Sequence, residues 1–351
     1  MFESLGFENL TPGQAAIWFG LMIGAMFGAL AQVTRFCFRS AILGGWRNEA
    51  AGVWIMALIT ATIGTQAAVR LEIISFTDHR FFSPDLPYLA IILGGALFGI
   101  GMVLARGCAS RLTVLTGSGN LRAFTVLVIF AIVSHATLKG VLAPLRVSIS
   151  QATMTLPEFA WMPILWTSFL VLSGSLIVWK SGAQLKNFAL AALLGLLVPI
   201  AWVGTGFVLF DEFDPIAMES LSFTSPASEA LFWTIASTSI SAGFGVALLG
   251  GVVVGAALLS KLRGEFKWES FESNRQMARY FAGAIFMGFG GVLAGGCTVG
   301  AGLAGAPTLS IAAILALGAI TAGGLAAHHL INGTSRGYGA HSTKPPLQPA
   351  E

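Results

Sequence analysis

From Tyr280 to Ser335 the chain carries no Asp, Glu, Lys or Arg. A run that long without a formal charge cannot form the surface of a water-soluble domain. It also exceeds the roughly 20 apolar residues that take one helix across a bilayer. A Gly-rich stretch, Gly295–Pro307, divides it, so the run reads as two crossings with a break between them. Earlier charge-free stretches read as further spans: Ile17–Thr34, Ala50–Val69, Leu86–Ala105, Ala123–Leu138, Phe159–Trp179, Phe188–Phe210 and Ala230–Ser260. The last is long enough for one long helix or a helix with a hinge. Composition agrees with a membrane protein. Of 351 residues only 10% are charged and 55% are hydrophobic, where a soluble domain carries about 25% charged residues. The net charge of +3 gives no basis for nucleic-acid binding.

Loop charge predicts the orientation. Asp211–Glu229 holds five acids and no Lys or Arg, whereas Lys261–Arg279 holds five bases among three acids, and Lys180 and Lys186 flank another turn. By the positive-inside rule 180–186 and 261–279 face the cytoplasm and 211–229 faces outward. The acidic start, Glu3 and Glu8, lacks the basic region of a cleaved signal, so the first helix is expected to stay.

An internal repeat organises the chain. Gly24-Ala-Met-Phe-Gly28 and Gly95-Ala-Leu-Phe-Gly99 end nine residues before Cys37 and Cys108, and Gly288 lies nine before Cys297. Gly99 to Cys108 and Gly288 to Cys297 share G-x-G-x-V-L-A-x-G-C. A fainter copy, Ala191-Ala-Leu-Leu-Gly195, leads after nine residues to Gly204. The expected architecture is an all-α integral membrane protein, a pseudo-symmetric inverted-repeat bundle of about nine transmembrane helices with short re-entrant helices. Residues 1–350 form one transmembrane domain of two related halves, about 15–150 and 180–335, and 336–351, with Pro345, Pro346 and Pro349, reads as a disordered tail.

All three cysteines occupy the same repeat position, beside glycines that break helices inside the membrane. A lone buried Cys is ordinarily a small apolar filler; three at equivalent breaks argue for function. Non-helical backbone at membrane depth persists only around protein or a water-filled cavity. Broken helices from two related halves commonly build a transporter's central site. Their N-terminal N–H groups favour an anion, and Thr113–Leu121 and Gly300–Leu309 are the expected sources of such ends. Arg35, Arg39, Arg106 and Arg111 flank Cys37 and Cys108. A charge at that depth is costly and usually functional, although an Arg at a helix end can snorkel to the interface. His135, alone in an apolar run, is expected to be a packed or hydrogen-bonded helix residue.

Arg35-Phe-Cys37-Phe-Arg-Ser-Ala41, Ala105-Arg-Gly-Cys108 with Gly117-Ser-Gly119, and Ala294-Gly-Gly-Cys297-Thr-Val-Gly300 resemble blocks of the YeeE/YedE family of sulfur-compound transporters, as does Ser222-Phe-Thr224. The resemblance covers about residues 15–330. It implies thiosulfate uptake across a bacterial inner membrane by a multi-pass protein, with Cys37, Cys108 and Cys297 lining the path. It also implies a cytoplasmic sulfur-carrier partner of the TusA type. The expected path residues are these three cysteines with Arg106, Gly107, Gly117, Ser118, Gly204 and Gly296. A neutral thiol donates a weak S–H hydrogen bond to a soft sulfur anion, and weak contacts let the ion leave each station. The thiols would be stepping stones, with no cofactor and no metal. A membrane sulfurtransferase would want a base beside its Cys, and no Cys here has a neighbouring His. A soft-metal transporter would show Cys-x-x-Cys, Met or His clusters on its path. A transporter of another sulfur or a selenium compound remains compatible with the same residues. No nucleotide-binding loop is present to couple ATP directly.

Overall fold

The computed structural model describes residues 11–45, 48–77, 79–155, 163–211 and 214–337, with the backbone alone beyond residue 331. Among these residues the chain is almost wholly helical, and nine helices are long and apolar enough to cross a membrane. The tail at 338–351, and the start of the expected Phe159–Trp179 span up to residue 162, lie outside the described residues.

Helix α1 (Pro12–Val33) opens with a capping box in which Thr11 and Gln14 satisfy each other's backbone N–H groups. A short α2 (Phe38–Leu43) and the long α3 (Glu49–Arg70) follow. A 3-10 turn at Arg80–Phe82 leads to α4 (Tyr88–Leu104), α5 (Ala109–Gly117), α6 (Leu121–Lys139) and α7 (Ala143–Ser150). Two-residue strands, β1 (Asp85–Leu86) and β2 (Met154–Thr155), pair antiparallel, with Asp85 opposite Thr155. Next come α8 (Pro163–Lys180) and α9 (Leu185–Val203), which continues into a π-helical turn at Gly204–Val208. The stretch at 230–260, read as one long helix or a helix with a hinge, is two helices, α10 (Thr224–Ala236) and α11 (Phe244–Leu262). Between them Ser237, Thr238, Ser239, Ser241 and Gly243 crowd seven residues. Their hydroxyls offer the backbone alternatives to helix. The chain ends with α12 (Asn274–Leu293), a π-helical segment at Thr298–Gly305, a 3-10 turn at Ala306–Thr308 and α13 (Ile311–Gly337).

Glycines bring the long helices together in parallel pairs. Gly20, Gly24 and Gly28 of α1 lie against the Phe244, Leu248 and Val252 carbonyls of α11, and Gly251 and Gly255 return the contact. Gly99 of α4 meets Ile320 of α13, while Gly323 meets Ala96. Gly195 of α9 meets Ala57 of α3, and Gly288 of α12 meets Phe130 of α6. In lipid there is no hydrophobic drive between helices, so close backbone approach through small residues is what binds them. The motif glycines nine residues before each repeat position are therefore the packing contacts of four helix pairs.

The helix ends sort the loops. Asn187 donates to Glu49, and Gln32 donates to Glu265, so 180–186 and 261–279 gather at one end of the bundle. Residues 214–229 lie at the other end, where Thr205 holds Glu219 and Pro226 meets Gly245.

Candidate functional site

Three helices end in the same way. After α1, α4 and α12, the residues Arg35, Arg106 and Gly295 take left-handed backbone, with φ of 50°, 57° and 73°. The next N–H in each case, from Phe36, Gly107 and Gly296, donates back to the carbonyls of Ala31, Met102 and Gly291 at 3.1, 3.1 and 2.9 Å. This is a Schellman stop. One residue later Cys37, Cys108 and Cys297 stand at the N-caps of α2, α5 and the Thr298–Gly305 segment. The breaks were legible in the sequence. The helix starts are displaced from expectation: they follow the cysteines directly, because the left-handed residue turns the chain at once, and Thr113–Leu121 and Gly300–Leu309 lie further along. Gly satisfies the left-handed position without cost, whereas an L side chain there costs about 1–2 kcal/mol. Arg35 and Arg106 thus hold a strained position where Gly295 shows that glycine serves.

The fourth unit departs from the pattern. Gly204 starts the π-helical turn that continues α9, and a side chain on it would strike the Phe19 ring. The N-cap equivalent in that unit is Phe223, at the start of α10. A loop at 209–223 separates the two.

All three thiols are free and buried. Cys37 retains 6% exposure, Cys108 1% and Cys297 none, so Cys297 is the most deeply buried of the three. The Cys37 and Cys108 side chains face each other, and the Thr298 hydroxyl faces Cys108. Cys108 Sγ lies 3.2 Å from Ser110 Oγ. Cys297 Sγ accepts from the Gly300 N–H at 3.3 Å. Around them the hydroxyl oxygens of Ser222, Thr224 and Thr298 are buried without a hydrogen-bond partner. Buried polar groups are rarely left so; Ser222 Oγ lies by Gly300 and Thr224 Oγ1 by Gly291. Phe27, packed against Phe223 and Phe36 at centroid distances of 5.4 and 6.2 Å, walls the same region.

Two basins border the thiol-bearing turns; the one toward 261–279 is called inner and the one toward 214–229 outer, after the orientation expected from loop charge. The inner one, about 690 Å³, is lined by Cys37, Arg35, Arg39, Arg106 and Arg111, with Ser118 on its wall. Arg39 Nε and Arg111 Nη1 are buried without partners. Ser118 donates to Gln32 Oε1, and Gln32 donates to Glu265, both at 3.2 Å, so Ser118 belongs to a hydrogen-bonded rim. The outer basin, about 650 Å³, is lined by Arg80, Glu219, Glu229, Ser222 and Gly300. A side chain on Gly300 would come within 2.9 Å of Ser222 Oγ, and the Gly300 N–H bonds Cys297, so this basin's wall lies directly against the Cys297 turn.

Of the expected residues, Cys37, Arg106 and Ser118 line one basin, Cys108 faces Cys37, and Cys297, Gly107 and Gly296 sit at the equivalent helix breaks. Gly117 and Gly204 line neither basin; Gly117 packs on the Val253 carbonyl of α11. His135 is the hydrogen-bonded helix residue expected, with Nδ1 2.9 Å from Ser228 Oγ. Sequence reasoning missed Arg80, Glu219 and Glu229, which are far apart in the chain. The signal for Thr298 was present in its position directly after Cys297. Among the described residues no three His, Cys, Asp or Glu side chains converge as a metal site.

Residues 33–326 match a family described as sulphur transport. The chain is 26% identical over 324 residues to the thiosulfate transporter TsuA of Escherichia coli, covering 81% of this chain and 86% of that one. It is 26% identical over 330 residues to TsuA of Spirochaeta thermophila, covering 86% and 94%. A shorter match, 30% over 113 residues, relates it to the probable transporter YedE of Escherichia coli, covering 30% of this chain and 26% of that one.

Proposed function

The chain belongs to the sulphur-transport family, a family of transporters and not of enzymes, and on that premise we propose that it takes up thiosulfate across a bacterial inner membrane. The anion enters the outer basin, passes Ser222 and Gly300, and moves along Cys297, Cys108 and Cys37 to the arginine-lined inner basin. The end bearing 180–186 and 261–279 faces the cytoplasm. What supports the reading is three buried thiols at equivalent N-caps, with Cys37 lining one basin and Gly300, whose N–H donates to Cys297, lining the other.

Each thiol offers one S–H to the soft terminal sulfur of thiosulfate. The unpaired hydroxyls of Thr224 and Thr298 offer stronger O–H donors to its oxygens. The backbone N–H groups at the starts of α5 and the Thr298–Gly305 segment favour negative charge along the same line. No donor on the dry stretch is a full cation, so the dianion is held weakly enough to move on. At the inner basin four arginines receive it, and a cytoplasmic sulfur carrier of the TusA type would take it from that face.

The path reading includes an inverted repeat. Exchanging α1 with α9, α3 with α11, α4 with α12 and α6 with α13 maps the helix pairs onto one another. The pair α1 and α11 becomes α9 and α3, the pair α4 and α13 becomes α12 and α6, and α1–α9 and α4–α12 map onto themselves. The short α2 exchanges with α10: the first packs on α3 and α13, the second on α11 and α6. On this reading α2, α5, α10 and the Thr298–Gly305 segment are re-entrant helices dipping to the thiols from both faces.

The test is uptake of radiolabelled thiosulfate into proteoliposomes, competed with sulfate, sulfite and selenite, for the wild type and each Cys→Ala and Cys→Ser variant. Substrate selectivity for thiosulfate and loss on Cys→Ala support the relay. Wild-type uptake in all three alanine variants would leave the cysteines as core fillers.

A further inference from the structure

Arg80, Glu219 and Glu229 come from three separate segments and face one cavity outside the thiol line. Arg80 is carried on the 3-10 turn after α3, with its guanidinium 5.3 Å from the Phe81 ring centroid. Glu219 is fixed by its backbone: its N–H donates to Thr205 Oγ1 at 3.0 Å, and that hydroxyl donates to the Glu219 carbonyl at 2.7 Å. Glu229 projects from α10. Neither carboxylate closes onto Arg80 as an ion pair. The three groups therefore surround open space beside Ser222 and Gly300.

This arrangement raises an electrostatic problem for a dianion. With both carboxylates ionised, Arg80 leaves the group one negative charge in excess. Like charges in a partly desolvated basin repel strongly. Protonating one carboxyl makes the group neutral and leaves the Arg80 fork open to the anion. Glu219 is the group poised to do so: burial first, then Glu229, push its carboxyl up to about 7, against the opposing pull of Arg80. The other charges around it do not take this role. His79 is pushed down to about 4 by burial and by Arg80, so it stays neutral from pH 6 to 8. Lys139 lies toward Glu229 from α6, and Arg80 also reaches toward the Cys297 thiol.

We propose that Arg80, Glu219 and Glu229 form the anion-entry site of the outer basin, and that it admits a sulfur dianion together with one proton, carried on the Glu219 carboxyl. The inference rests on the thiosulfate-uptake reading and deepens it. The proton comes from outside water and completes the O–H of Glu219 as the anion binds Arg80. The incoming negative charge raises the proton affinity of the carboxyl, and by linkage the proton raises the affinity for the anion. The sign follows: anion affinity is full below the pKa of Glu219 and falls as pH rises through it. A group titrating near 7 loses about fivefold of its protonated form between pH 7 and pH 8. Thiosulfate keeps both charges over this range.

The experiment is radiolabelled thiosulfate uptake into proteoliposomes at external pH 6 to 8, with proton uptake by the purified protein on adding thiosulfate followed by a pH dye. The wild type should show a KM that rises about fivefold from pH 7 to 8 and should take up protons with the anion. Glu219→Gln, a neutral isostere, should hold a pH-independent KM and release the proton signal. Arg80→Gln should raise KM at every pH. Glu229→Gln should weaken the rise of KM with pH, because the group is then neutral with Glu219 ionised. Wild-type uptake with a flat KM and no proton signal overturns this inference alone, whatever the variants' folding. Absence of thiosulfate uptake at every pH overturns the uptake reading and this inference with it.

Discussion

The two basins have nearly the same volume, about 650 and 690 Å³, and opposite arrangements of charge. The inner one gathers Arg35, Arg39, Arg106 and Arg111 against Glu265 and Glu269 at its rim. The outer one sets a single Arg80 between Glu219 and Glu229. Size therefore does not distinguish the two; fixed charge does. On the uptake proposed above, the outer basin turns neutral when Glu219 is protonated while the inner one stays positive, and that difference would draw an anion inward. They differ in a few side chains: Arg39 and Arg111 come from the short helices α2 and α5, Arg80 from the 3-10 turn after α3 and Glu229 from α10.

The largest expected effect lies between the basins. Cys297→Ala and Cys108→Ala should each cut thiosulfate uptake by about tenfold or more, which corresponds to about 1.4 kcal/mol of barrier per decade. Cys37→Ala should cost less, since Cys37 borders the wet inner basin. Tracer uptake by folded, inserted variants decides it, and equal losses at all three would erase the contrast between dry and wet stations. Next, Gly28→Val and Gly195→Val should destabilise the protein by similar amounts, about 1–3 kcal/mol each, because both overlap a facing helix carbonyl. Thermal unfolding in detergent measures this; a large inequality would break the equivalence of the two halves. A smaller effect is expected at Arg106. Replacing it with Gly should relieve about 1 kcal/mol of left-handed strain while slowing uptake a few-fold. Arg106→Gln should slow uptake more at low than at high ionic strength, as screening predicts. Uptake unchanged at both salt levels would confine Arg106 to the interface and weaken the inner basin's claim to draw the anion. The smallest effect belongs to the inner rim. Glu269 pairs with Arg122 and, being 44% exposed, should contribute under about 1 kcal/mol when replaced by Gln.

Much of this was readable before any coordinate. Hydropathy located the crossings, because burial in lipid demands long uncharged runs whatever the neighbours are. The repeat spacing located the breaks at Cys37, Cys108 and Cys297, because a helix stop is a local event set by adjacent residues. Gly204 was read as the fourth equivalent from spacing alone. The helix α9 instead runs on as a π-helical turn there, and the N-cap falls at Phe223, nineteen residues further on, so the local spacing no longer marks it.

What the sequence by itself determined is the class of molecule, its crossings and its thiol-bearing turns, since each depends on composition or on neighbours within one helical turn. Only the tertiary structure decided which helices pair, that Ser222, Thr224 and Thr298 leave hydroxyls unpaired, and that residues 80, 219 and 229 share one cavity. Those facts depend on helix packing, which brings together groups more than a hundred residues apart. Charge in such a cavity is governed by distance and dielectric, and neither is written in the order of the residues.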